Sequence, residues 1–357
     1  MKKLLHAALS GLLMLVAFGC AGVQMNEEVA TLLKDVARND DEPLVRAFAS
    51  LAYLGGKVAA VQPATETAQA QVDAAPASAA LAVARKWDFP AAAQQRPDAV
   101  AVVIGNRDYQ SRGKGVPNVD FAHNDANAIR SYVLDSLGYR EGNILDLRDA
   151  SQAEMIAVFG SATNPRGKLY NWVRPGESEV FVYYSGHGAP GLNDGKGYLL
   201  PVDADPAAVE LNGYPLESLY QNLARLPVEN VTLILDACFS GDSGAGPLVK
   251  SASSISLRVI EPRQVLPAGT VLSAAGPAEV ASWDATTGHG LFTRHFLEGV
   301  TGAADTQRFG NRDGRVTLGE LKTYLTTEVG YQARRQFGRE QHPVIRGTDD
   351  QVLTVLH

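Results

Sequence analysis

The stretch LILDACFSGD, Leu233–Asp242, starts as a solid apolar run and ends on a cysteine followed by small and polar residues. Through Leu235 it reads as a strand buried on both faces, because parallel strands covered by helices are apolar throughout rather than alternating. The cysteine then falls just past the carboxyl end of that strand, where open α/β sheets bind their ligands. Similar runs recur as AVAVVIGN (Ala99–Asn106), NILDLRD (Asn143–Asp149), EVFVYYSG (Glu179–Gly186) and GTVLSAAG (Gly269–Gly276). Helical patterns fill most of the intervals: NDANAIRSYVLDSLG sets Ala126, Ile129, Val133 and Leu137 on one stripe, with Gly138 as a C-cap. The expected fold class is α/β, with a mostly parallel central sheet flanked by helices on both faces.

Two strand ends carry chemistry. FVYYSGHGAP delivers His187 between Gly186 and Gly188, and LILDACFSGD delivers Cys238. A thiol becomes a strong nucleophile once deprotonated, and an imidazole at a neighbouring strand end can take the proton. Flanking glycines let a substrate backbone approach and leave amide N–H groups free for a developing oxyanion. A turn histidine and a strand-end packing cysteine would explain each residue singly; their shared context favours catalysis. The other histidines beyond the N-terminal leader, His123, His289, His295, His342 and His357, read as surface or core groups, and none of their spacings suggests zinc.

From about Ala99 to Ile345 the chain resembles the caspase-like cysteine peptidases, especially bacterial relatives of metacaspases and paracaspases. The matching pieces are VVIGNRDY (Val102–Tyr109), NDANAI (Asn124–Ile129), YYSGHG (Tyr183–Gly188), GYLLPVDAD (Gly197–Asp205), LILDACFSG (Leu233–Gly241), SAAGPAEVASW (Ser273–Trp283) and HGLFTRHFLEGVTG (His289–Gly302). SGHG followed about 50 residues later by DACFSG is the specific part of the signal. The resemblance implies a His187–Cys238 dyad without an obligatory third member, an oxyanion hole from the amides of Gly188 and Cys238, and hydrolysis through a thioester. It further implies that Asp125 and Asp236 line a pocket for Arg or Lys before the cleaved bond. Independently, Asp236 lies two residues before Cys238 on one strand and shares its face, and a pair of carboxylates suits a guanidinium held bidentately. The competing readings are a helix first-turn charge for Asp125 and a turn-binding role for Asp236.

The ends of the chain differ from this core. Lys2 and Lys3 precede an apolar run, Leu4 to Phe18, too short to span a bilayer, which closes as VAFGC. Residues 1–20 read as a secretory signal with a lipobox-like end, so Cys20 is the expected lipidation site and the protein an exported, membrane-anchored lipoprotein, facing the periplasm from the outer membrane. Only Cys238 then remains as a thiol, which excludes an intrachain disulfide. Residues 21–95 read as a short helical segment, carried by Val29, Leu32, Leu33 and Val36, then an Ala/Pro-rich linker; the peptidase-like domain is expected over 96–357. A net charge of −7 without a basic stripe argues against a nucleic-acid partner.

GDSGAG (Gly241–Gly246) mimics a serine-peptidase motif, but that motif belongs to all-β barrels, which leaves Ser243 as a loop residue. NRDGRVTLGE (Asn311–Glu320) resembles part of an EF-hand, with its first ligand position falling on Phe309. No cofactor is expected; calcium dependence stays open with no site assigned. The long loop after Cys238 carries Lys250, Arg258 and Arg263 as candidate self-cleavage positions. The leading expectation is a cysteine endopeptidase acting on proteins after Arg or Lys; the rival is a catalytically weak caspase-like binding or signalling module at the membrane. A cysteine hydrolase of other acyl bonds is a third reading, which peptide cleavage would separate from the first.

Overall fold

A computed structural model describes residues 85–112, 115–240, 266 and 269–356, together with the short pairing of Asp242–Ser243 and Gly246–Pro247. The leader, Cys20, the helical segment of residues 26–54 and the Lys250, Arg258 and Arg263 positions lie outside the described residues. In chain order the strands are β1 (Val100–Gly105), β2 (Ile144–Arg148), β3 (Glu179–Ser185), β4 (Gly188–Pro190), β5 (Gly197–Leu199), β6 (Tyr214–Pro215), β7 (Asn230–Asp236), β8 (Asp242–Ser243), β9 (Gly246–Pro247), β10 (Gly269–Ser273), β11 (Trp283–Asp284), β12 (His289–Gly290), β13 (Arg315–Thr317), β14 (Val344–Arg346) and β15 (Val352–Val355). The α-helices are α1 (Ala122–Asp135), α2 (Gln152–Phe159), α3 (Lys168–Trp172), α4 (Val209–Asn212), α5 (Leu216–Ala224), α6 (Leu291–Glu298) and α7 (Leu318–Phe337).

The central sheet runs β14-β10-β7-β3-β1-β2, parallel throughout except for β14 at its edge. Alternate residues of each strand serve different cores, as a strand's period of two requires. Val103, Tyr183, Ile234 and Leu272 face one side with α1, α6 and α7, where Ile129, Phe292 and Leu325 are fully buried. Val102, Val182, Leu233 and Val271 face the other side with α2, α3 and α5, through Met155, Leu169 and Leu219. Both faces are therefore covered, and the apolar runs that marked the strands are explained by it.

Helix α1 stops at Asp135, and Gly138 just beyond it takes φ +71°, the left-handed conformation in which a glycine ends a helix, with Tyr139 N–H bonding back to the Val133 carbonyl. The domain begins earlier than residue 96: Trp87 and Phe89 pack against the α1 side of the core, and Ser136 Oγ donates to the Pro90 carbonyl. Composition hid this, because two aromatic anchors within an Ala/Pro-rich stretch create no periodicity. The EF-hand-like segment forms β13 and the start of α7, where Thr317 and Glu320 make a reciprocal capping box. Asp305 accepts the Gly314 N–H at 2.9 Å, and Asn311 accepts from the Asp313 N–H at 2.9 Å. Among the described residues no three His, Cys, Asp or Glu side chains gather as a metal site, and no helix is long and apolar enough to cross a membrane.

Candidate active site

Register brings the two candidate catalytic residues, His187 and Cys238, to neighbouring strand ends. In the parallel β3–β7 ladder Ser185 is paired with Asp236, and the Gly186 N–H still reaches the Asp236 carbonyl at 3.3 Å. His187 and Cys238 each follow two residues beyond that last pair, at neighbouring strand ends.

His187 is buried and held on several sides. Its backbone N–H donates to the Tyr109 hydroxyl at 3.0 Å, and its carbonyl accepts from the Tyr184 hydroxyl at 2.7 Å. Tyr109 also donates to the Leu200 carbonyl, and the Tyr184 hydroxyl, whose single proton the His187 and Leu200 carbonyls share, lies 2.9 Å from the same oxygen, so two phenols tie β3, the residue after β5 and the loop after β1 to one point. The imidazole Nε2 lies 2.8 Å from the Pro117 carbonyl oxygen. A carbonyl only accepts, so Nε2 carries the proton and Nδ1 is left as the base. Burial pushes the His187 imidazolium down to about 4, partly offset by that carbonyl. The ring is neutral at neutral pH. Pro117 is thus an orienting group that sequence reading had set aside in treating the dyad as complete; a backbone carbonyl leaves no signature in residue type.

Cys238 is half-buried, and its Sγ accepts the Ala281 N–H at 2.7 Å. Gly188 sits directly across from it: a Cβ there would come within 2.5 Å of the Cys238 carbonyl oxygen and 2.6 Å of the Phe239 ring. Only glycine fits. Gly188 and Pro190 occupy the same parity of the antiparallel β4–β5 ladder, and Pro190 has no N–H to give. The Leu200 N–H bonds to the His187 carbonyl, one pair away. Gly188 is therefore in a non-hydrogen-bonded pair and its N–H points away from β5.

Asp125 on α1 and Asp236 at the end of β7 are buried side by side, and Gly290 lies against both: its Cβ would meet Asp236 Oδ2 at 2.4 Å and Asp125 Oδ2 at 3.2 Å. Asp236 Oδ2 accepts from the Thr293 hydroxyl at 2.6 Å and the Thr293 N–H at 3.2 Å. This carboxylate caps the N-terminus of α6, where partial positive charge gathers. Among the described residues no hydrogen bond reaches Asp236 Oδ1. Asp125 is fully engaged: Oδ1 takes His289 Nδ1 at 2.8 Å and the Gly290 N–H at 3.1 Å, while Oδ2 takes the Gly290 N–H at 3.2 Å and Ser185 Oγ at 3.2 Å. Burial pushes the Asp236 carboxyl up to about 7, and the neighbouring Asp125 charge adds to this. Burial likewise raises Asp125, against the pull of His289.

The pocket therefore differs from the sequence expectation in two ways. His289, Gly290 and Ser185 already occupy both oxygens of Asp125, so the two carboxylates are not equivalent, and Asp236 Oδ1 is the oxygen of the pair that no hydrogen bond reaches among the described residues. His289, read from sequence as an unremarked surface or core group, is wholly buried and bonded to the acidic pair. The only local signal was its place in the HGLFT piece. His295 and His342 do pair away from this site, with Glu298 and Glu279.

The model of the caspase domain family matches residues 98–351, well over half of the chain. Metacaspase-1 of Eremothecium gossypii is 29% identical over 144 residues, which is 37% of this chain and 30% of that protein, so the match spans less than a third of the relative's length. Caspase-1 from Spodoptera frugiperda overlaps 76% of this chain and 94% of its own, at 15% identity and a TM-score of 0.43, a likeness too low to carry any argument. By the extent of the family match, this chain belongs to the caspase domain family, within the caspase-like cysteine peptidase superfamily.

Proposed function

We propose that the protein is a cysteine endopeptidase that cleaves after Arg or Lys. The observation carrying this reading is the buried pair of Asp125 on α1 and Asp236 at the end of β7, two residues before Cys238, with no hydrogen bond to Asp236 Oδ1 among the described residues. Two carboxylates in a low-dielectric site are costly without a cation, and a substrate's basic side chain supplies one. His187 Nδ1 takes the Cys238 thiol proton, and the sulfur attacks the carbonyl carbon. The oxygen charge that develops is met by the Gly188 and Cys238 amides. His187 then returns its proton to the leaving amine, giving a thioester, and water, activated by the same imidazole, releases the acid and restores the thiol.

In the same proposal the domain lies outside the cytoplasm, tethered through an acylated Cys20 and facing the periplasm from the outer membrane, a reading supported by the N-terminal sequence ending in VAFGC. Self-cleavage at Lys250, Arg258 or Arg263 follows from the same specificity. Hydrolysis of fluorogenic peptides ending in Arg, Lys or Asp tests the reading. Cleavage after Arg or Lys that disappears in Cys238→Ala and weakens in Asp236→Ala supports it. No cleavage of any peptide, with or without calcium, favours the binding-module alternative. An intact mass across residues 241–269 in a preparation that cleaves added peptide removes self-processing.

A further inference from the structure

The sheet face beside the acidic pocket carries hydroxyl groups whose protons have one consistent arrangement. Tyr183 and Ser185 lie on the same face of β3, and Ser185 is paired in register with Asp236 of β7. Tyr183 is wholly buried, as is Thr293 in the first turn of α6. Their hydroxyls lie 2.6 Å apart, and Thr293 Oγ1 lies 2.6 Å from Asp236 Oδ2. An ionised carboxylate only accepts, so the one Thr293 hydroxyl proton goes to Asp236. Tyr183 must then be the donor to Thr293. Burial, with the charges of Asp125 and Asp236 nearby, raises the Tyr183 phenol well above its ordinary range, so it keeps the proton it donates. Ser185 directs its own proton to Asp125 Oδ2 at 3.2 Å.

We infer that Tyr183 is a positioning residue of the acidic pocket: by donating to Thr293 it commits the Thr293 proton to Asp236 Oδ2 and so leaves Oδ1 as the oxygen offered to the basic side chain of a substrate. This rests on the reading of that pocket as the Arg/Lys site.

The need for such a relay follows from how freely its parts turn. The last torsion of an aspartate is broad and roughly two-fold, so nothing in Asp236 itself decides which oxygen is held and which is offered. The Thr293 N–H holds Oδ2 at 3.2 Å. The Thr293 hydroxyl is less certain of its acceptor, because a threonine in a helix can also turn its proton to a carbonyl three or four residues back. Those carbonyls belong here to Gly290 and His289 of β12. With the Tyr183 proton on Thr293 Oγ1, the chain of donors runs one way, from Tyr183 through Thr293 to Asp236, and each bond polarises the next. The Tyr183 ring is packed in the core with Ile234 paired across the ladder, which fixes where its hydroxyl falls. Asp125 needs no such device, since His289, Gly290 and Ser185 already hold both of its oxygens.

The test is Tyr183→Phe, which keeps the ring and deletes the O–H. Calorimetry on the full chain uses benzamidine, an amidinium probe, at about pH 8.5, where Asp236 with its value of about 7 is ionised. Tyr183→Phe should bind it roughly tenfold more weakly than the wild type. With Arg peptides the loss should fall on KM rather than kcat. Alkylation of Cys238 by iodoacetamide, which carries no basic group, should keep its wild-type rate. Thr293→Val should weaken benzamidine by at least as much, and Thr293→Ser, which retains the hydroxyl, should bind as the wild type does. Adding Tyr183→Phe to Thr293→Val should bring no further loss. Wild-type affinity in Tyr183→Phe overturns the inference, as do losses that add in the double variant or a matching fall in the alkylation rate. Urea unfolding checks the fold of each variant. Should Tyr183→Phe not fold, a loss in Thr293→Val that Thr293→Ser avoids supports the relay, and wild-type affinity in Thr293→Val overturns it. If the wild type binds no benzamidine and cleaves after no basic residue, the specificity reading fails and this inference with it, whereas a failure confined to the variants leaves that reading standing.

Discussion

Gly290→Ala probes the pocket without touching an ionisable group. Gly290 lies at φ −58°, ψ 140°, so alanine meets no backbone penalty and the effect is purely one of space. The added Cβ would lie 2.4 Å from Asp236 Oδ2, where ordinary contact begins at 3.4 Å. The carboxylate must retreat by about 1 Å, which takes it out of reach of the Thr293 N–H and strains the bond to the Thr293 hydroxyl. Hydrogen bonds to a charged group are worth about 1.5–3 kcal/mol each, and overpacking a filled site costs about 1–3 kcal/mol after relaxation. We therefore expect unfolding stability to fall by about 1–3 kcal/mol. Because the displaced oxygen belongs to the proposed specificity pocket, kcat/KM for Arg peptides should fall by about 5- to 150-fold, the same energy expressed as a rate. Urea unfolding followed by tryptophan fluorescence measures the first quantity and peptide hydrolysis the second. Wild-type values for both in Gly290→Ala would refute the reasoning, since the Asp236 carboxylate would then not be held where the geometry puts it.

Gly188→Ala should abolish hydrolysis while the protein still binds benzamidine, because its Cβ collides with the Cys238 carbonyl and the Phe239 ring rather than with the acidic pair. Tyr109→Phe leaves the buried His187 N–H without its acceptor, so stability should drop by about 1–3 kcal/mol in urea titrations, with kcat reduced as well. The pH dependence of stability carries two opposed contributions. The folded His187 value lies below its unfolded one, so its contribution is intact above about pH 6.5 and is lost as pH falls toward about 4, by at most about 3 kcal/mol. Asp236 is raised, so the folded state takes its proton first and stability increases as pH drops below about 7. Unfolding midpoints measured across this window should lose the acid-side decline in His187→Gln and lose the acid-side gain in Asp236→Asn; the reverse pattern would refute both assignments.

Much of the architecture was legible along the chain because its determinants are local. Apolar runs such as Val231–Leu235 can only be strands covered on both faces, and the glycines around His187 mark a strand end irrespective of what lies across from it. Even the alignment of His187 with Cys238 is implied once β3 and β7 are neighbours, since a parallel ladder carries equal steps to equal places. That adjacency itself, and everything that depends on groups meeting through space, was decided by tertiary structure. Pro117 acts through a carbonyl that any residue could supply, so its orienting bond to His187 has no sequence signal. Asp125 was recognisable as acidic, but that its oxygens are already occupied follows from Gly290, His289 and Ser185 closing on it from distant segments. Tyr183 and Thr293 stand 110 positions apart, and neither residue's local pattern encodes the other. Residue type and spacing determined which chemical groups this protein possesses; the charge and proton position of each were set by which donors and acceptors folding brought within about 3 Å of it.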